Sequence, residues 1–117
     1  MAKRKELDED TYFTVYKWMS RLQLAPEAGA KKQETKPLTG LNKEIYAIIY
    51  GYSHDGEGSC FYSYTQFAEI TGATRKAVST SLKILEKNRL ITVEREKNGR
   101  AYEKTFYKVN FDKIREI

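Results

Sequence analysis

Residues 63–91, SYTQFAEITGATRKAVSTSLKILEKNRLI, read as two short helices joined by a tight turn and followed by a strand. Ser63 suits an N-cap, where its hydroxyl oxygen takes up an otherwise unpaired amide of the first turn. The apolar Phe67, Ala68 and Ile70 then recur at helical spacing until Thr71 and Gly72 stop the run. Thr74 can cap the second helix. There Val78, Leu82 and Leu85 fall on one stripe at i, i+4 and i+7, while Arg75, Lys76, Ser79, Thr80 and Lys83 fall off it. One face is therefore core, and the other is left free, basic and hydroxyl-bearing.

Downstream, Lys87, Asn88 and Arg89 end the second helix, and Leu90 and Ile91 return to the core. Asn88 stands where a residue in the left-handed conformation is expected after a helix C-terminus. Ile91–Glu96 and Arg100–Val109 each alternate on either side of Asn98-Gly99, the strongest short hairpin signal. A two-residue turn there sets Glu94 opposite Glu103, a like-charge pair, so a bulged or longer turn is the alternative and the register stays open. Phe111, Ile114 and Ile117 space as a short terminal helix, capped by Asn110 or Asp112.

Upstream, a helix starting within Thr39–Asn42 sets Ile45, Ile48, Ile49 and Tyr52 on one face, flanked by Tyr46 and Tyr50. That arc exceeds the roughly 100° stripe that one contact requires, which predicts a central helix packed on two sides and bracing the basic helix. SHDGEG, residues 53–58, is turn chemistry, and His54, Asp55 and Glu57 supply too few oxygen ligands in too short a pattern for a calcium loop. Cys60–Tyr62 predicts a short strand, the third of a small sheet with the hairpin. Residues 25–38, APEAGAKKQETKPL, carry both prolines and no periodicity, which predicts an exposed loop. From Thr11, the spacing of Tyr12, Val15, Tyr16, Met19 and Leu22, with Trp18 beside them, predicts a short amphipathic helix. In residues 1–10, MAKRKELDED, the acids cancel Lys3, Arg4 and Lys5, and a mobile terminus is expected.

Two helices joined by a Gly-containing turn of about 3 to 4 residues, the second with a basic and hydroxyl face, are the helix-turn-helix arrangement. With the hairpin candidate ITVEREKNGRAYEKTFYKV behind it, the pair resembles a winged helix-turn-helix. More narrowly, FTVYKWM, IYAIIYGYSHDGEG and the helix pair together resemble the DNA-binding domains of replication initiators and small regulators carried by plasmids, phages and integrative elements of Gram-positive bacteria. The resemblance covers most of residues 12–110. It implies an α+β fold, with one winged-helix domain over residues 11–117, a small antiparallel sheet and an additional N-terminal helix. It also implies a link shorter than residues 25–38.

Composition agrees with a nucleic-acid partner. The 117 residues carry a net charge of +5, and its placement is uneven. Residues 1–58 hold nine Lys/Arg and nine Asp/Glu, whereas residues 59–117 hold twelve against seven, so the whole excess lies on the helix pair and hairpin. A basic excess confined there suits a phosphate-facing surface, because neutralised phosphates release condensed counterions.

The function expected is sequence-specific binding of double-stranded DNA, in transcription regulation or in replication initiation of a mobile genetic element. Thr74, Arg75, Lys76, Ser79, Thr80 and Lys83 are the recognition-helix candidates, with Arg75 suited to guanine edges. Arg95, Lys97, Asn98, Arg100 and Lys104 are the wing candidates, for phosphates. The apolar surplus upstream predicts a homodimer. The alternative is a winged-helix protein-interaction or assembly module without DNA binding, since tyrosine-rich helices also anchor interfaces. No nucleophile, base and orienter constellation and no phosphate-binding Gly loop is present, so no catalytic residue and no cofactor is expected. One Cys and one His cannot build a four-ligand zinc site, so no metal is expected. No window approaches the roughly 18 to 20 apolar residues of a membrane span, and the N-terminus lacks a signal-peptide core, so no membrane partner and a cytoplasmic location are expected.

Overall fold

The computed structural model describes residues 13–26, 29, 31, 34–53, 58–96 and 105–117, and at 97–98 and 102–104 the course of the backbone. Its scaffold is a 14-residue helix, α1 (Gly40–Ser53), in which the successive residues Ile45, Tyr46, Ala47, Ile48 and Ile49 are all buried. Five buried residues in a row span more than a full turn, so this helix is covered on opposite sides, as its wide apolar arc predicts. Tyr52 departs from that reading. It is exposed, donating its hydroxyl to that of Tyr62 at 3.0 Å, while the next residue, Ser53, takes the buried face of the last turn.

α2 (Tyr64–Thr71) opens with a capping box: Ser63 accepts from the Gln66 amide while the Gln66 side chain accepts from the Ser63 amide. It closes on Gly72, whose φ of 79° is the left-handed region that favours glycine. Phe67 is fully buried and Ala68 packs against the core, whereas Ile70 lies exposed on the outer face. α3 (Arg75–Lys87) begins on Thr74, whose side-chain oxygen accepts from the Ala77 amide at 3.0 Å. Val78, Ser81, Leu82 and Leu85 are its buried face.

The end of α3 corrects one expectation. Asn88 has a φ of −85°, and it is Arg89, with φ 60°, that takes the left-handed conformation. Two reverse bonds fix this turn, from the Leu90 amide to the Leu85 carbonyl at 3.0 Å and from the Arg89 amide to the Glu86 carbonyl at 2.9 Å. Asn88 works instead through its side chain, donating to the Ile84 carbonyl and accepting from the Ala25 amide, both at 2.8 Å.

Strands labelled here β3 (Ile91–Asn98) and β4 (Tyr102–Val109) pair antiparallel. The register sets Asn98 across from Tyr102 and Glu94 across from Phe106, which is the longer-turn alternative. It replaces the Glu94–Glu103 clash with Lys97 across from Glu103 and Glu96 across from Lys104. The expected third strand is reduced to one bridge, Cys60 to Tyr107, with backbone bonds of 2.8 and 2.9 Å. Beyond it Ser63 already caps α2, so the chain turns away before a second pair forms. Ser53, fully buried, donates to the Ile49 carbonyl and accepts from the Val109 amide, tying α1 to β4. Asn110 caps the short α4 (Phe111–Arg115).

The N-terminal segment also differs from expectation. Among the described residues of this segment only Lys17–Arg21 is helical, as a 3-10 helix, and Phe13–Tyr16 is irregular; Thr11 and Tyr12 lie outside the described residues. Its aromatics pack on α1 without a continuous α-helix: Tyr16 and Trp18 meet Tyr50 at 5.7 and 5.2 Å between ring centroids, and Trp18 meets Tyr46 at 6.3 Å. The described ends of residues 25–38 are anchored. β1 (Gln23–Leu24) pairs with β2 (Lys36–Pro37), and Leu38 at the loop's end is fully buried. This is the α+β fold of a helix-turn-helix followed by a hairpin in the wing position.

Candidate nucleic-acid interface

The turn between α2 and α3 is short and internally bonded. The Gly72 amide donates to the Ala68 carbonyl at 2.8 Å, and the Thr71 hydroxyl donates to the Phe67 carbonyl at 2.8 Å while accepting from the Ala73 amide. With α2 locked by Phe67 and α3 by Val78, Leu82 and Leu85, the outer face of α3 is held rigidly away from the core. Lys76, Thr80 and Lys83 are exposed on that face, and Arg75 and Ser79 lie beside them, exposed and half-buried. Thr74 stands at the start of the same face, with its oxygen committed to the cap.

Sequence reasoning missed Lys87. Lys76, Thr80, Lys83 and Lys87 follow at i, i+4, i+7 and i+11, one straight row directly opposite the buried stripe, and Lys87 is exposed. The signal was the same spacing carried one turn further.

The alternation of β3 divides the wing candidates. Ile91 is buried and Val93 packs on the core, so Arg95 lies on the row that faces α3, and Lys97 is the next position of that row in the backbone register. Arg95 Nη2 is 3.8 Å from Glu86 Oε1 of α3. Lys104, across from Glu96, belongs to the opposite row, as do Asn98 and Phe106. Arg100 lies outside the described residues, as do His54, Asp55 and Glu57 of the turn after α1.

These observations place a basic helix, presented by a capped tight turn, beside a hairpin. Residues 36–91 match a family model described as a helix-turn-helix domain. The match runs from β2 through the whole of α3 to the first residue of β3, so the hairpin lies beyond it. No curated protein and no solved structure matches the chain.

Behind this helix-turn-helix the displaced acidities belong to the core. Burial pushes the Cys60 thiol up from 9.0 to about 11 and the Tyr107 phenol up to about 12, and it raises the Tyr46 phenol further. Among the described residues no three His, Cys, Asp or Glu side chains are grouped to hold a metal ion. No described helix is long and apolar enough to cross a membrane.

Proposed function

We propose that the protein binds double-stranded DNA sequence-specifically, with α3 in the major groove and the β3–β4 hairpin against the backbone. The observation that carries this reading is the exposed row Lys76, Thr80, Lys83 and Lys87 on a helix whose other face is fixed in the core. A straight basic row on a rigid helix suits a groove lined by phosphates, and Arg75 at the helix start suits base edges. The helix-turn-helix match supports the same partner. Transcription regulation or replication initiation of a mobile element is the role proposed. A homodimer is proposed with it, supported by the exposed Val15 and Tyr16 beside the Trp18–Tyr50 cluster, and reading two half-sites about one helical turn apart.

The second reading, a protein-interaction module, is favoured by Phe61, which is 63% exposed although it packs edge-on to Phe106 at 4.8 Å. Selection of a target from a random duplex pool, followed by titration of target and random duplexes at two salt concentrations, separates the two. Tight, salt-dependent binding that Arg75→Ala/Lys76→Ala weakens for the target by about 1 to 3 kcal/mol per lost base contact supports the DNA reading. Absence of duplex affinity at low salt overturns it.

A further inference from the structure

We propose that Glu86 is a specificity-setting residue, which holds Arg95 away from DNA phosphates until the reader helix is fully seated. The inference rests on the DNA-binding reading and goes beyond it, because it concerns an acid where a DNA surface would have none. α3, RKAVSTSLKILEK, carries four cations and one acid. That acid stands in the last turn, where the negative end of the helix dipole disfavours a carboxylate. It also shares a flank with Arg75 and Ser79, at i, i+4 and i+11, beside the phosphate-facing row.

Packing does not explain the residue. The Glu86 side chain is 41% exposed, and its polar contact among the described residues is to Arg95, itself 54% exposed. It is the one described ion pair between reader helix and hairpin; the other two, Lys113–Glu116 and Arg115–Asp112, lie at α4. An exposed pair 3.8 Å apart is weak, so a phosphate can take the place of the carboxylate. On a loosely held random duplex that exchange is incomplete, and Glu86 competes with the phosphate for Arg95. In the seated complex Arg95 changes partner completely. The acid thus lowers non-specific affinity more than specific affinity.

The test is Glu86→Gln, alone and together with Arg95→Ala, titrated against the selected target and a random duplex across a salt series. Glu86→Gln should tighten random binding about three- to fivefold and steepen its log–log salt slope by about 0.9, one further phosphate. Target affinity should change by less than about twofold, so the specificity ratio falls. With Arg95→Ala in place, the gain from Glu86→Gln should vanish. An equal gain on both duplexes, or the same gain without Arg95, overturns the proposal, because Glu86 would then act only as a general repulsive charge. Unchanged thermal midpoints confirm that the variants are folded. If the unaltered chain binds neither duplex, it is the DNA reading that falls, and this proposal falls with it.

Discussion

The hydroxyl of Ser81, buried on the inner face of α3, donates to the side-chain oxygen of Asn42 on α1 at 2.5 Å. It is a polar contact between the two helices, and it fixes α3 to its scaffold. The two ends are unequal: Asn42 is half-buried and can turn to water, whereas Ser81 is 2% exposed and cannot. Asn42→Leu strands the Ser81 hydroxyl and should cost about 1 to 3 kcal/mol, while Ser81→Ala should cost about 1 kcal/mol. Combined, they should cost less than their sum by about 1 kcal/mol in a urea-unfolding cycle. Strict additivity would show that the bond does not brace the helix.

Tyr46 is a contrasting case. It is fully buried between Trp18 and the core, and its hydroxyl has no hydrogen-bond partner among the described residues. Removing an unsatisfied hydroxyl removes a desolvation cost, so Tyr46→Phe should leave stability unchanged or raise it by up to about 1 kcal/mol. Tyr46→Ala should cost about 3 to 5 kcal/mol through the cavity it leaves. A clear loss in the Phe variant would contradict this account.

Alkaline pH probes the bridge between Cys60 and Tyr107. Burial, partly offset at Cys60 by a backbone hydrogen bond at Tyr62, raises the thiol from 9.0 to about 11, and burial raises Tyr107 to about 12. Both groups are acids raised by folding, so the unfolded chain ionises first. Their stabilisation is fully present below pH 9 and is lost as pH rises through about 11 and then about 12. The thermal midpoint should fall steeply above pH 9. In Cys60→Ala it should start lower, for lost packing, and fall less between pH 9 and 11. Parallel curves would show that the thiol does not contribute.

What could be read in advance was what local chemistry writes down. Ser63, Gly72 and Thr74 are legible because capping and left-handed glycine need only neighbouring atoms, and the two faces of α3 because its period survives intact. Exposure of Ile70 and Tyr52 depends on which elements cover them, and spacing carries no such information. Tyr16 and Trp18 show how aromatic spacing can satisfy a packing surface with a short 3-10 helix and irregular chain in place of the longer helix it suggests. At the candidate site, the row ending in Lys87 was available from spacing. The separation of Lys97 from Lys104 was not, because it depends on a register set by the turn after Asn98.

Arg89 holds a φ of 60° to close the turn after α3. A side chain in that region is strained by about 1 to 2 kcal/mol, part of which Gly would relieve at some cost in unfolded-chain entropy. Arg89→Gly should therefore raise stability by about 0.5 to 1 kcal/mol, and Arg89→Val should lower it by at least as much. Denaturant midpoints of the two variants check the sign. Destabilisation by Gly would mean that the Arg side chain contributes more than its backbone strain costs.

The hairpin permits a sharper test than removal of its charges together. In the backbone register Lys97 falls on the row of Arg95, and Lys104 on the other row, across from Glu96. If DNA lies against α3, only the first row can approach the same phosphates. Lys97→Ala should then weaken target and random duplexes by similar factors and lower the log–log salt slope by about 0.9. Lys104→Ala should leave both affinities and slope nearly unchanged. Equal losses from both variants would mean that the hairpin enters a groove edge-on, with phosphates on either side of the sheet. A selective loss for the target in Lys97→Ala would show that this row reads groove shape as well as charge. Neither variant altering the slope would remove the hairpin from the interface and leave α3 as the sole DNA-binding element.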